Sequence, residues 1–287
     1  MKTILIFVFS LLTTYGYSEQ NLSFISWNVF LLPKPINFTM QSERTTLIAK
    51  KLQEFNADII MLQEAFTEST VEKILEILHA LYPYHAHLKE KKTFYHLLSS
   101  GLLILSKYPL KVLDQVIYSE CNGADCFAAK GFLLTEVKLS DKKSLRIGVT
   151  HLQANNQPKN VLTRTSQIQQ IKKSLDTFQN GQYPQLLVGD FNITYNSLVY
   201  HNLLSHFKLK PAVIDALHPT STAPNNDCYY TPGKGTSPTW IDYFFSNAVD
   251  KSFNINAVKV LDASAILDKK KCLLSDHHPI LGTFTYE

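Results

Sequence analysis

Apolar and polar positions alternate between two spacings along this 287-residue chain. Short apolar runs read as strands, and longer stretches with apolar residues three and four apart read as helices. Leu22 to Val29 predicts a first strand, and Ser42 to Phe55 a helix with Leu47, Ile48 and Leu52 facing a core. Asp58 to Gln63 is a short buried strand. Thr67 can cap a helix that runs to about Ala80 and carries Val71, Ile74, Leu75 and Leu78 on one side. Strands follow near Leu102–Ser106, Val112–Tyr118, Phe132–Leu139 and Leu145–Gln153, with turns at Pro109 and Asp141-Lys142. A helix spans about Val161 to Phe178, and the buried run QLLVGD ends at Asp190. Another helix covers Leu198 to Phe207, and strands return near Ile241–Ser246, Ala257–Leu261 and Ile280–Thr285. Helices between strands, with several hairpin-like neighbours, predict one α/β domain with mixed sheets.

The N-terminus changes the picture of where the protein works. Lys2 precedes an apolar run from Ile4 to Leu12, and Gly16 and Ser18 occupy the −3 and −1 places before Glu19. Residues 1–18 therefore read as a signal peptide and 19–287 as a single catalytic domain, exported to the periplasm or the medium. The apolar run is too short to span a bilayer, and no later segment does. The four cysteines fit an oxidising compartment and allow three pairings. Their placement in loop-like text favours Cys121–Cys126 and Cys228–Cys272. No C-x-x-C pair points to zinc.

Composition excludes disorder and a multi-span membrane protein, since 45% of residues are hydrophobic and 18% charged. A formal net charge of +4 suits a phosphate-bearing partner. The chain lacks the dense Lys/Arg stripe of a nucleic-acid binder. Three N-glycosylation patterns (NLS, NFT, NIT) read as chance matches.

Polar residues recur where the buried strands end. Asn28 closes SWN, Gln63 and Glu64 close IIMLQE, and His151 closes GVTH. Asp190 and Asn192 follow LLVG. Asp242 opens IDYFF, and Asp276 and His277 precede the last strand in SDHHPI. Strand ends on one rim are where sites are built. Each residue alone has a plainer reading, as a turn former, a cap or a structural histidine. Together they form a carboxylate and carboxamide set with two histidines, which suits Mg²⁺, Ca²⁺ or Mn²⁺. A hard ion beside a histidine base predicts hydrolysis of a phosphoester. Adjacent His277 and His278 point to opposite sides of an extended backbone, so only one can face the site.

The motifs WNV, QE, GDFN and SDHHP, in this order, resemble the endonuclease/exonuclease/phosphatase superfamily from about Leu22 to the end. The resemblance implies the DNase-I-like fold, a four-layer α/β/β/α sandwich of two mixed sheets flanked by helices. WNVFLLP, QEAF, SGLLILSKYPL, AAKGFLL and THLQA are most similar to the secreted neutral sphingomyelinases of bacteria. That resemblance implies Glu64 as principal metal ligand with Asn28 beside it. It implies Asp190 and Asn192 on a second metal or the attacking water and a phosphate oxygen. His277 is then the general base, oriented by Asp276. His151 stabilises the transition state or aids the leaving group, and Asp242 orients His151 or joins the polar network. Lys130, in the KGF triplet, either approaches the head group or supports its loop.

The activity so implied is release of ceramide and phosphocholine from sphingomyelin at a membrane surface. The cofactor is Mg²⁺, with Mn²⁺ or Co²⁺ as substitutes and Ca²⁺ as an alternative, and the protein is expected to be a monomer. Phe66, Tyr229, Tyr230 and Trp240 are candidates to meet a choline cation, with core packing the alternative. A secreted nuclease of the same fold shares the catalytic set, and a non-catalytic toxin or adhesin is the third reading. One departure is clear. VLDASAILDKKKCLLSDHH occupies the place of an aromatic-rich hairpin in haemolytic relatives, yet it is short, without aromatics, and carries Lys269, Lys270 and Lys271.

Overall fold

Residues 20–34, 40–88, 96–178, 183–212, 218–221, 237–246 and 253–286 are described in a computed structural model. In chain order the elements are β1 (Gln20–Asn28), α1 (Gln41–Phe55), β2 (Ile59–Gln63), α2 (Glu68–Leu78), β3 (Tyr84–His87) and β4 (Leu103–Ser106). Then come β5 (Leu110–Ile117), a 3-10 turn (Gly123–Phe127), β6 (Gly131–Lys138), β7 (Ser144–His151), α3 (Pro158–Phe178), β8 (Gln185–Asp190) and α4 (Leu198–Phe207). The chain continues through β9 (Lys210–Pro211), β10 (Asp242–Ser246), β11 (Phe253–Val260), β12 (Ser264–Leu267), β13 (Lys270–Leu273) and β14 (Ile280–Tyr286).

The strands form two six-stranded sheets, ordered β11-β14-β1-β2-β4-β3 and β5-β6-β7-β8-β10-β9, and β12 and β13 form a separate hairpin. Side chains alternate across a strand, and here both faces of the first sheet are covered. Phe24, Ile59, Met61 and Ile104 point into a core shared with Phe132, Ile147 and Val188 of the second sheet. Their neighbours Ile25, Trp27, Ile60, Leu62, Leu103 and Leu105 point the other way, against Ile48 and Leu52 of α1 and Ile74 and Leu78 of α2. The second sheet is closed by Ile168, Ile171 and Leu175 of α3 and by Tyr200 and Leu203 of α4. This is the expected four-layer sandwich. Burial on two faces explains why the central strands read as unbroken apolar runs.

The expected α4 matches residue for residue, and the other helices and most strands shift by a few residues at their ends. The edge strand β3 was not legible, because YHAH is half exposed and polar. Neither was the β12–β13 hairpin. Thr67 caps α2 as expected, its side chain accepting from the Thr70 amide. Cys121 and Cys126 are bonded, with Cα atoms 5.2 Å apart. Cys272 is buried and not free. Its expected partner Cys228 lies outside the described residues, as do the leader 1–18, Tyr229 and Tyr230. No helix among the described residues is long and apolar enough to cross a membrane.

Each sheet contains one parallel pair, β1 with β2 and β7 with β8. Parallel strands finish at the same end. Asn28 lies opposite Gln63, and His151 opposite Asp190. Asp242, first residue of the antiparallel neighbour β10, also lies opposite Asp190. The two sheets thus bring their polar strand ends to one rim.

Candidate active site

The polar residues at this rim form one connected cluster. Asn28 Nδ2 donates to Glu64 Oε1 at 2.8 Å and to Asp190 Oδ2 at 3.1 Å. Asp190 Oδ2 stands 3.7 Å from His277 Nε2 and 3.5 Å from His151 Nε2. His277 Nδ1 is 2.8 Å from Asp242 Oδ2. Asn192 donates from its backbone to Asp190 Oδ1 at 2.8 Å and from its side chain to the Leu152 carbonyl at 3.0 Å. Asn28, His151, Asp190, Asp242 and His277 are all buried.

The local backbone is shaped for this arrangement. Glu64, just past β2, adopts a left-handed conformation (φ 62°), which costs a non-glycine residue about 1–3 kcal/mol. Its amide neighbourhood is held by Ala65 N donating to Gly101 O and Leu31 N donating to Glu64 O, both at 3.1 Å. Gly101 (φ 70°) packs so closely that a Cβ there would lie 2.8 Å from Glu64 Cα. Ser275 Oγ donates to the Asn28 carbonyl at 2.6 Å and accepts from the His277 amide at 3.2 Å. Trp27 Nε1 donates to the His277 carbonyl at 2.9 Å. These contacts lock SDHH to the end of β1.

One expected partnership is corrected, and of the two roles expected for Asp242 it takes the second, joining the polar network through His277. Asp242, not Asp276, grips His277 Nδ1. Asp242 enters from β10 in register with Asp190, whereas Asp276 lies in the bend before His277, where its charge acts on Glu64 and on the imidazole. Asp276 is half-buried, and its Oδ1 lies 3.3 Å from Ser275 Oγ. His151 has Lys130 rather than Asp242 as its neighbour: Lys130 Nζ lies 3.1 Å from His151 Nε2. The same ammonium donates to the Leu152 carbonyl at 2.9 Å and pairs with Asp125 at 2.8 Å. Lys130 therefore belongs to the cluster. His278 diverges from His277 as expected. Its amide donates to Thr220 O at 2.7 Å, and its side chain is half-buried. Phe66 and Trp240 are core residues, each 5% exposed.

Several contributors were missed. Arg44 is fully buried in α1 and donates to the carbonyls of Val29, Phe30 and Leu274. It ties the exit of β1 to the segment leading into SDHH. Its signal was present: it lies four residues before Ile48 and eight before Leu52, a charge on the apolar stripe of a helix. Asp125, inside the disulfide loop, also accepts from the Ala154 amide at 2.6 Å. Nothing in CNGADC marks it in advance.

The electrostatics follow from burying so many carboxylates. Burial, reinforced by the charge of Asp276, pushes Glu64 up to about 7. Burial and Asp242 push Asp190 up to about 6. Burial opposes charge on His277, but Asp242, Asp190 and Asp276 override it and hold the imidazole well above its usual range. Burial, Lys130 and His277 hold His151 well below it. The two histidines are thus driven in opposite directions.

The donor set fits a divalent cation. Asp190, Asp242 and His277 offer ligand atoms within 4.8 Å of one another. Asp242 Oδ1 is buried with no hydrogen-bond partner among the described residues. Between Glu64 and Asp190 the Asn28 amide donates to both carboxylates, a place of concentrated negative potential. Hard oxygen ligands of this kind suit Mg²⁺, Mn²⁺ or Ca²⁺.

Comparison with known proteins agrees with this geometry. The chain is 28% identical over 289 residues to Sphingomyelinase C 2 of Leptospira interrogans serogroup Icterohaemorrhagiae serovar Lai, covering 91% of this chain and 46% of that protein. It is 25% identical over 243 residues to Sphingomyelinase C of Listeria ivanovii, covering 78% of this chain and 72% of that one. It spans about half the length of the Leptospira relatives it matches. The crystal structure of SmcL superimposes with a TM-score of 0.79 at 23% identity, over 93% of this chain and 99% of that one. Staphylococcus aureus beta toxin, solved with bound magnesium ions, gives 0.78 at 20% identity, over 92% and 99%. The model of the Endonuclease/Exonuclease/phosphatase family matches residues 25–277, from the first strand to the histidine of SDHH, and the chain belongs to that family.

Proposed function

We propose that the protein is an exported, metal-dependent phosphodiesterase of phospholipase C type that hydrolyses sphingomyelin to ceramide and phosphocholine. The observation that carries the reading is the chain Asp242–His277–Asp190–Asn28–Glu64 on the common rim, buried except at the half-buried Glu64. The sphingomyelinase names of the relatives favour lipid over nucleic acid as substrate. Export rests on the leader-like sequence of residues 1–18.

Glu64, Asn28 and Asp190 are the expected ligand side chains, and Asp242 adds an orphaned oxygen to them. His277, also expected as a ligand, has Nδ1 held by Asp242, and the reading assigns its other nitrogen to proton transfer instead. A bound Mg²⁺ would neutralise these carboxylates and stabilise charge on the phosphoryl oxygens. His277 is the base. Asp242 fixes the proton on Nδ1, which leaves Nε2 directed at the site to take a proton from water. That water attacks phosphorus as the bond to the ceramide oxygen breaks. Asn192 and Asp190 orient the water and a phosphoryl oxygen. Lys130 and His151 stand opposite His277, where a cationic N–H beside an imidazole stabilises charge on the phosphoryl group and the leaving oxygen.

The test is an assay of the purified mature protein with Mg²⁺ on sphingomyelin, phosphatidylcholine and plasmid DNA. Phosphocholine release from sphingomyelin is expected. Cleaved DNA with no phosphocholine from either lipid would replace the reading with a nuclease.

A further inference from the structure

The exposed apolar side chains are not scattered evenly over the molecule. Among the described residues, seven large hydrophobic side chains are between 39% and 76% exposed. Five of them, Leu97, Phe127, Leu162, Tyr195 and Leu198, sit on segments that leave the rim bearing the active site. Leu97 and Phe127 adjoin, because Leu97 N donates to Phe127 O at 2.9 Å. Phe127 ends the turn that follows β5 and leads into β6, and Phe132 of β6 is in register with Thr150, next to His151. Leu162 lies near the start of α3, which begins seven residues after His151. Tyr195 and Leu198 bracket the start of α4, eight residues after Asp190. Of the other two, Tyr84 opens β3 at the opposite end of its sheet, and Ile266 is on the β12–β13 hairpin.

The segments carrying Leu97, Phe127 and Leu162 are joined beside the active site, and the start of α4 leaves the same rim from the end of β8. The Asn122 side chain donates to Asn160 of α3 at 2.5 Å, and its amide to Gln153 Oε1 at 2.8 Å. Asp125 of the same loop holds Lys130. The charge along this edge of the rim is mixed. Glu120 is exposed on the loop, but neither α3 nor α4 has an acidic residue in its first turn, although acids are favoured there. Lys159 is exposed in the first turn of α3. Two helix N-termini, a lysine and a row of apolar side chains suit a surface of phosphate head groups over acyl chains. The hairpin offers charge but less apolar surface: among the described residues Ile266 is its one exposed large apolar side chain, beside exposed Lys269, Lys270 and Lys271, while Leu267 and Cys272 are packed into the outer helical layer.

We infer that this edge is the surface by which the protein docks on a phospholipid bilayer. Leu97, Phe127, Leu162, Tyr195 and Leu198 enter the interface on the α3–α4 side of the active site, and the hairpin inserts less apolar surface. The choice of a bilayer as occupant rests on the lipid substrate proposed above.

The test compares the mature protein with a variant carrying Leu97→Ser, Phe127→Ser, Leu162→Ser and Leu198→Ser, and with Ile266→Ser. A second variant, Leu162→Ser with Leu198→Ser, alters only exposed helix positions and guards against misfolding, which melting curves would reveal. Binding is read by co-sedimentation with sphingomyelin–phosphatidylcholine vesicles, with and without phosphatidylserine. Turnover is read on vesicles and on short-chain sphingomyelin below its micelle concentration. Vesicle binding and vesicle turnover should fall at least tenfold in the fourfold variant and several-fold in the double variant. Turnover of the monomeric substrate should stay within twofold, and Ile266→Ser should bind normally. Unchanged vesicle binding in the folded variants overturns the docking surface, as does an equal loss in Ile266→Ser. A dimer in sedimentation velocity that the substitutions dissolve would assign the edge to a second copy instead. If the unsubstituted protein binds vesicles through this edge yet hydrolyses neither substrate, the proposed activity fails and the docking surface stands.

Discussion

Removing the metal should make the protein's stability fall as pH rises, and Glu64 supplies a measurable part of that fall. The unfolded chain releases the Glu64 proton near 4.5, whereas the folded, metal-free chain releases it near 7. Between those values the folded state binds more protons, so stability declines with pH. The displacement corresponds to about 3 kcal/mol. In a domain of this size that lowers the melting temperature by roughly 6–12 °C. Asp190, displaced to about 6, acts in the same direction over a lower window. His277, held well above 6.5, also loses stabilisation as pH climbs beyond 6.5. His151, held below 6.5, opposes them, because the unfolded chain carries the extra proton there and stability rises towards 6.5.

The comparison that isolates Glu64 is Glu64→Gln. Melting curves would be recorded in EDTA from pH 5 to 7.5 for both proteins, then repeated with excess Mg²⁺. The unsubstituted protein should lose several degrees more than the variant across this range. Magnesium at a hundredfold excess over its Kd adds about 2.7 kcal/mol and should restore most of the loss in the unsubstituted protein at pH 7.5. Glu64→Gln should respond weakly. Parallel curves for the two proteins in EDTA would refute the reasoning, because the buried carboxylate would then carry no excess proton.

Other perturbations test individual contacts. His277→Ala should lower kcat at least a thousandfold and His278→Ala less than tenfold; equal losses would reverse the reading of the pair. Asp242→Asn keeps the shape but loses the carboxylate on Nδ1, and should cost about a hundredfold or more in kcat with little change in KM. Asp276→Asn should cost much less, and the reverse order would restore Asp276 as the orienting group. Gly101→Ala places a methyl against Glu64 at a left-handed position, and should destabilise by about 1–3 kcal/mol and weaken Mg²⁺ binding in calorimetry. Asp125→Asn should reduce activity through Lys130, with Lys130→Met reducing it further; full activity in either would remove Lys130 from the site.

Much of the fold was legible because the layers impose different spacings. A strand buried on both faces must be apolar through its middle, and the IIML of β2 and LLVG of β8 are, with polar residues only at the ends. The helices need one apolar stripe, and α2 and α4 also carry side-chain caps at Thr67 and Ser197. Edges escape this logic. Tyr84–His87 gains its hydrogen bonds from β4 without needing an apolar pattern. The site residues were legible as strand-end polar groups, but their partnerships were not. Asp276 is adjacent to His277 in sequence, and Asp242 is thirty-five residues away. Only the antiparallel register of β10 on β8 brings Asp242 to the histidine.

The same register explains why the cluster is expensive to fold and well suited to chemistry. Asp190 lies at the end of a parallel pair and in register with Asp242, so two buried carboxylates share one strand end. The β1–β2 pair brings Asn28 and then Glu64 to the same place from the other sheet. Burial, with repulsion from Asp276 and Asp242 respectively, raises Glu64 and Asp190, and the charges of Lys130 and His277 offset only part of it. Asn28 gives hydrogens to two of the carboxylates, and Asp242 Oδ1 has no partner among the described residues. A hydrophobic replacement would stabilise such a site. Its presence in a domain otherwise packed with apolar side chains fits the cation-binding role proposed for it: carboxylates held together by the register of β8, β10, β1 and β2 before any cation arrives.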